Sequence, residues 1–249
     1  MANWSDPRSD TRSNMAGFGG ATADRSAAFD AGLRSYMLSV YNYMASGVLL
    51  TGVVAMLFAS SGMAAQVLGG PGILKYVIMF APLVFVMVLS FGINKLSTAA
   101  AQGLFWAYAA VMGLSLSSIF LVYTGTSIAQ TFFATAAAFA GLSLFGYTTK
   151  KDLSAFGTFL IMGVVGLFVA MLINLFLQSS VMDLVISGVG VLLFAGLTAY
   201  DTQKIKSMYA YVQGTDMMGK TVIMGALNLY LDFINMFLFL LRFMGGSRD

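Results

Sequence analysis

Two aspartates inside long apolar stretches are the residues best suited to carry chemistry, and Asp232 is the more unusual of them. It stands near the middle of Gly225–Phe243, a segment long enough to cross a bilayer. On a helix, Asn228 and Asn235 fall in the same narrow sector as Asp232. A carboxylate at the centre of a bilayer costs about 2.5–3.5 kcal/mol on insertion scales. We therefore expect Asp232 to face protein or a water-filled cavity.

The second acid, Asp201, lies near the end of the preceding apolar stretch, in the sequence GLTAYDTQKIK. The two helices would be consecutive and antiparallel, so their carboxyl groups can approach each other. Two carboxylates in contact in a low-dielectric site cannot both ionise easily, so the pair would share a proton and sense pH. Simpler alternatives are an ion pair of Asp201 with Lys204, one turn further on, and a structural hydrogen-bonding role for Asp232.

When deprotonated, the same pair of Asp201 and Asp232 would offer hard oxygen ligands to Ca²⁺. This ion takes about six to eight oxygens, so carbonyls, water or an amide such as Asn228 must supply the rest. Asn235 and Thr198 are the other candidate supporting polar residues. The predicted span boundaries place Asp201 about 10 Å from the level of Asp232, at about 1.5 Å per residue. Contact therefore requires a helix tilt or a deeper seventh helix.

Lys95 closes the second apolar stretch on the same predicted side as Asp201. It is a candidate latch that would pair with one of the acids and release it on protonation. The alternative is an ordinary lysine whose ammonium group extends to the membrane surface.

The composition identifies the elements that must position these residues. The chain has 249 residues, of which 59% are hydrophobic and 9% are charged, with a mean hydropathy of +0.84. Soluble domains carry roughly 25% charged residues, so the apolar surface here must face lipid. Cysteine and histidine are absent, which excludes disulfides, thiol nucleophiles and zinc sites built on imidazole or thiolate. The sequence predicts an all-α polytopic membrane protein.

Apolar periodicity predicts seven transmembrane helices connected by short loops. The predicted spans are about Leu33–Ala59, Ile73–Asn94, Gly103–Tyr123, Ile128–Tyr147, Phe156–Leu177, Met182–Thr202 and Val222–Phe243. Residues 1–31, rich in Ser, Asp, Arg and Gly, are predicted to be a disordered cytosolic tail without the apolar core of a secretory signal. The membrane domain would cover residues 32–243, and a short tail would follow over residues 244–249. The connection between the sixth and seventh spans is predicted to be a loop over Gln203–Thr221.

The distribution of basic residues predicts the orientation. With seven spans and a cytoplasmic N-terminus, ten of the 13 basic residues fall on the inner side. These ten are Arg8, Arg12, Arg25, Arg34, Lys95, Lys150, Lys151, Lys204, Lys206 and Lys220. Lys75, Arg242 and Arg248 fall on the outer side, and the C-terminus is expected outside.

The motifs AGLTAYDTQKIK and ALNLYLDFINMFLFLLRF resemble those of the Bax inhibitor family, the transmembrane Bax-inhibitor-motif proteins, and in particular its bacterial branch. The resemblance implies seven helices with the last one central and surrounded by the other six. It also implies a pH-sensitive Ca²⁺ leak gated by two aspartates, which are Asp201 and Asp232 here. Where the family uses an arginine latch, this chain has Lys95. The resemblance and the lack of targeting elements favour a bacterial inner membrane.

Two other functions fit parts of the sequence. Tyr200-Asp201 resembles one motif of intramembrane aspartyl proteases, but Asp232 follows Leu-Tyr-Leu rather than Gly-x-Gly, and the Pro-Ala-Leu motif is missing. The second alternative is a non-transporting regulator that binds a membrane protease or channel through its N-terminal tail. We expect a monomeric non-enzyme without a cofactor, with lipid and Ca²⁺ as partners and no nucleic acid.

Overall fold

The protein is all-α, as the sequence predicts. The structure, a computed structural model, describes the backbone of residues 10–246 and the side chains of residues 27–246. Within those residues the helices are α1 (Asp10–Ser60), α2 (Met63–Gly69), α3 (Leu74–Gly92), α4 (Thr98–Leu116), α5 (Ile119–Val122), α6 (Gly125–Thr148), α7 (Ser154–Leu177), α8 (Ser180–Val212) and α9 (Met218–Met244). Seven helical segments are long and apolar enough to span a membrane, which confirms the predicted number. One of these combines α4 with the short α5.

Hydroxyl side chains mark where three of the spans begin. The side chain of Ser97 accepts a hydrogen bond from the backbone N–H of Ala100 at the start of α4. Thr124 caps α6 and Ser179 caps α8 in the same way, each accepting from a backbone N–H three residues later. Such caps satisfy one of the free donors of the first turn, so they fix the helix starts.

The last helix, α9, is the most buried of the spans. In its apolar window 72% of the residues are buried, against 11–33% in the other six spans. It packs against α8, α1, α6 and α4. A helix that packs against other helices on several sides can hold polar side chains out of contact with lipid. Asp232 on α9 has a polar side chain of this kind.

The helices α8 and α9 form the closest pair in the bundle and run antiparallel. Ile205 of α8 lies against Gly225 of α9, and the rings of Phe194 and Phe239 stack with centroids 5.8 Å apart. Residues 213–217 connect the two helices, with Gly214 at φ +72, a conformation that favours glycine. These contacts fix the register that brings Asp201 to the level of Asp232.

The predicted end of the sixth span is wrong. The helix α8 continues to Val212 instead of ending near Thr202, so most of the predicted loop Gln203–Thr221 is helical. Ile205 and Tyr209 are buried on one face of this extension. Their spacing of four residues is that of an amphipathic helix, which hydropathy averaged over a window does not detect.

The structure describes part of the predicted N-terminal tail as helix. The helix α1 begins at Asp10, so residues 10–31 are helical, while residues 1–9 lie outside the described residues. Phe29 packs on the ring of Tyr209, with centroids 5.1 Å apart, and Gly32 lies against the Tyr209 hydroxyl. The extended α8 therefore provides the surface on which α1 continues beyond its apolar stretch. Of the predicted C-terminal tail, Gly245 and Gly246 follow α9, and residues 247–249 lie outside the described residues.

Candidate functional site

The structure brings the two predicted acids together in the centre of the bundle. Asp232 is only 4% exposed, and Asp201 is half-buried. Their side chains lie close enough for each carboxyl group to interact with the other. A carboxylate is only an acceptor, so a hydrogen bond between two carboxyl groups requires at least one proton. Two carboxyl groups this close are able to share a proton, and we call Asp201 and Asp232 the acid pair from here on.

The acid pair has few competing partners. The Oδ2 atom of Asp232 is fully buried and accepts no hydrogen bond from any N–H or neutral O–H group of the described residues. A buried carboxylate oxygen without a donor is costly when charged. A proton shared with Asp201 would offset this cost.

The register between the two acids follows from the full length of α8. Because α8 extends to Val212, Asp201 lies closer to the middle of its helix than the predicted boundaries implied. Asp232 lies near the middle of α9. The offset expected from the sequence thus came from placing the end of α8 too early.

A basic residue also acts on the acid pair, and it is Lys204. It lies one turn after Asp201 on α8 and interacts with it electrostatically. The Lys204 ammonium is also 5.9 Å from the centroid of the Tyr200 ring. The predicted ion pair of Asp201 with Lys204 does not form within the described residues, where the salt bridge is that of Arg242 with Asp183.

The structure does not bring Lys95 to the acid pair. Lys95 is exposed in the turn after α3, where its backbone N–H donates to the carbonyl of Gly92. Within residues 27–246 the ion pair that forms is Arg242–Asp183, 3.7 Å apart, and Lys95 takes part in none. The role of Lys95 as a latch that pairs with Asp201 or Asp232 therefore stays a prediction.

The three candidate supporting residues, Thr198, Asn228 and Asn235, differ in the hydrogen bonds that their side chains make. Thr198 donates to the carbonyl of Phe194 at 2.8 Å, and the Asn235 amide donates to the carbonyl of Leu231 at 2.8 Å. Asn228 is half-buried, one turn before Asp232, and makes no hydrogen bond with the other described residues. A cation would be coordinated by an amide oxygen, and neither Asn228 nor Asn235 uses its side-chain oxygen in a hydrogen bond with the described residues.

Sequence reasoning missed a second polar contact close to the acid pair. The Tyr230 hydroxyl lies 2.6 Å from Thr51 Oγ1, and the Thr51 hydroxyl donates to the carbonyl of Ala109 at 2.8 Å. Because Thr51 uses its only proton on that carbonyl, Tyr230 must be the donor to Thr51. This contact ties α1, α4 and α9 together two residues from Asp232. In the sequence this contact is indicated only by Thr51, a single threonine in an apolar stretch.

The site offers few ligands for a resident metal ion. Over the described residues there is no group of three or more acidic residues that could hold one. The acid pair supplies two carboxyl groups, and neutral oxygens or water would have to supply the rest of a Ca²⁺ shell.

The motifs and the fold together identify the family. A family model described as "Inhibitor of apoptosis-promoting Bax1" matches residues 33–249. The chain belongs to the Bax inhibitor family. That match begins close to the first span and includes both helices of the acid pair.

Bacterial relatives resemble nearly the whole chain of this Bax inhibitor family member. An uncharacterized protein of Rickettsia prowazekii is 49% identical over 92% of this chain and 96% of its own length. The inner membrane protein YbhL of Escherichia coli is 47% identical over 88% of this chain and 94% of its own. A protein of Lactococcus lactis is 41% identical over 88% of this chain and 94% of its own length. These matches agree with the seven spans in identifying a membrane protein.

Proposed function

We propose that this Bax inhibitor family protein is a pH-dependent Ca²⁺ leak channel, in which contact between Asp201 and Asp232 closes the path. The observation that carries the proposal is the acid pair itself, in which Asp232 of α9 is buried and its Oδ2 has no hydrogen-bond donor among the described residues. A cation that enters the bundle would meet this pair at its most enclosed point.

The proton content of the pair sets the direction of the pH response. The closed contact holds at least one proton, whereas two separated carboxylates hold none. Raising the pH therefore favours separation, because the state that binds fewer protons gains stability as protons become scarce. Two ionised groups repel each other, attract Ca²⁺ and open the path. Ca²⁺ flux should rise with pH and fall in acid.

The experiment is Ca²⁺ flux into vesicles that contain the purified protein and a trapped Ca²⁺ indicator, measured from pH 5 to pH 8. An asparagine amide can donate to the remaining carboxylate without a shared proton. Asp201→Asn and Asp232→Asn should therefore keep the contact closed at every pH, with low flux and no pH response. Asp216→Asn, in the exposed connection between α8 and α9, is the matched control and should behave like the wild type.

Three results would contradict the proposal. The first is flux no greater than that of empty vesicles at every pH. The second is a pH response that survives in both Asn variants. The third is flux that falls as pH rises, which would mean that the protonated pair is the open state.

We also propose the bacterial inner membrane as the location, with a cytoplasmic N-terminus. The resemblance to YbhL, an inner membrane protein, supports the location. The excess of lysine and arginine at one end of the bundle supports the orientation.

A further inference from the structure

A wide groove separates α1 from α6 on the surface of the bundle. It encloses about 900 Å³ and has Phe233 of α9 at its base. We call it the α1–α6 groove. Both helices pack on α9, but between them the groove opens to the side, where Leu49 is 68% and Leu144 is 64% exposed. These leucines belong to the lipid-facing surface, so the groove is open to the bilayer.

The α1–α6 groove has one polar end and one apolar end. Arg34 of α1 and Tyr147 of α6 line the end that also holds Lys206, and Leu49 and Phe132 line the opposite end. Along each helix the lining spans sixteen residues, which corresponds to a rise of about 22 Å. The hydrocarbon core of a bilayer is about 30 Å thick, so the groove runs from one membrane surface past the midplane.

The polar end carries positive charge that the described residues do not neutralise. Arg34 is exposed and forms no ion pair or hydrogen bond with another described residue, Asp30 one turn earlier on α1 included. Lys206 lies at the same end of the groove, with its ammonium donating to the carbonyl of Tyr147 at 2.7 Å and 4.7 Å from the Tyr147 ring centroid. No acidic side chain lines the groove. This end is therefore suited to an anion at the membrane surface.

We propose that the α1–α6 groove binds one anionic phospholipid from the leaflet on the side of Arg34. The phosphate contacts the Arg34 guanidinium, which can make two parallel hydrogen bonds to it. One acyl chain lies between α1 and α6 and reaches Phe233. Basic pockets between transmembrane helices are known places for anionic headgroups, and each buried methylene adds to the binding. The lipid would contact α9 at the residue that follows Asp232.

Native mass spectrometry of the purified protein in a neutral detergent tests the proposal, with phosphatidylglycerol titrated against phosphatidylcholine. The wild type should bind one phosphatidylglycerol in preference to phosphatidylcholine. In Arg34→Gln that preference should fall about fivefold, the effect of one basic residue near a headgroup. Lys95→Gln removes an exposed charge from the turn after α3 and should leave the preference unchanged.

A second pair of variants separates the acyl groove from the headgroup contact. Ala140 lines the groove, whereas Ala137 is exposed on α6 outside it. Ala140→Phe should lower the binding of both phospholipids, and Ala137→Phe should bind them as the wild type does. The headgroup contact is overturned if Arg34→Gln keeps the full preference, and the groove is overturned if the two Phe variants bind equally. Complete displacement of the phospholipid by oleate would assign the groove to a free fatty acid, and a lipid-free dimer would assign it to a second copy of the chain. Both results would overturn the proposal.

Discussion

Single residues in this bundle are constrained by the cost of leaving a polar atom in lipid without a partner. That cost alone predicts from the sequence that Asp232 needs a partner and that Asp201 is the best candidate. It does not predict Thr51–Tyr230, because these residues come from helices far apart in the chain and many pairings satisfy a hydroxyl equally well. Nor does it predict the position of Lys95, because an exposed lysine at a helix end is solvated wherever it points.

The Thr51–Tyr230 contact gives a prediction about stability. Tyr230→Phe removes one buried hydrogen bond and should lower the free energy of unfolding by about 1 kcal/mol. Thr51→Val should cost more, because the buried Tyr230 hydroxyl then loses its acceptor and keeps its desolvation penalty. The double variant should lose less unfolding free energy than the sum of the losses in the two single variants.

Unfolding in mixed micelles of rising SDS content measures these three free energies. Tyr211→Phe, on a residue that is 84% exposed, is the control and should be neutral. A strictly additive double variant would show that the 2.6 Å contact contributes nothing by itself.

Whole helices are predictable from the sequence where lipid surrounds them and less so where they leave it. The fifth span was expected at Phe156–Leu177 and is Ser154–Leu177 in the structure. The differences fall at the start of α1 and the end of α8, where the two helices extend together and pack through Phe29 and Tyr209. Hydropathy detects the segments that lie within the bilayer. An amphipathic helix that extends beyond the bilayer is detected instead by the helical periodicity of its apolar residues.

The α6–α8 contact gives a prediction at the scale of helices. A Cβ on Gly146 would clash with the carbonyl oxygen of Ala199, which is backbone and cannot turn away. Gly146→Ala must therefore push α8 outward, at a cost of about 1–3 kcal/mol. Ala199 is two residues from Asp201, so the carboxyl contact should loosen and Ca²⁺ flux at low pH should rise.

Flux and SDS unfolding of the same preparation test this prediction together. Gly141→Ala lies on the same helix with open space around its new Cβ, and it should change neither quantity. Unchanged stability in Gly146→Ala would show that α6 and α8 do not pack closely in the membrane. Lower stability with wild-type flux at low pH would show that the position of α8 does not control the acid pair.

At the scale of the whole molecule, the charges divide between the two ends of the bundle. Lys206 and Lys220 contact backbone carbonyls of Tyr147 and Asn94 at one end. At the other end Arg242 pairs with Asp183 across 3.7 Å. The helix α9 joins these ends over 27 residues, or about 40 Å, which exceeds the bilayer core of about 30 Å. Residues just before and just after α9 must therefore face opposite compartments.

The lack of native cysteine makes this orientation directly measurable. Thr215→Cys lies in the exposed connection before α9, and Gly246→Cys follows α9 with open space around its new Cβ. Because the lysine-rich end should face the cytoplasm, a membrane-impermeant maleimide applied to spheroplasts should label Gly246→Cys at once. Thr215→Cys should react only after the membrane is permeabilised. Ser61→Cys, exposed after the first span, should follow Gly246→Cys. The reverse pattern would place the lysine-rich end outside and would contradict the proposed orientation.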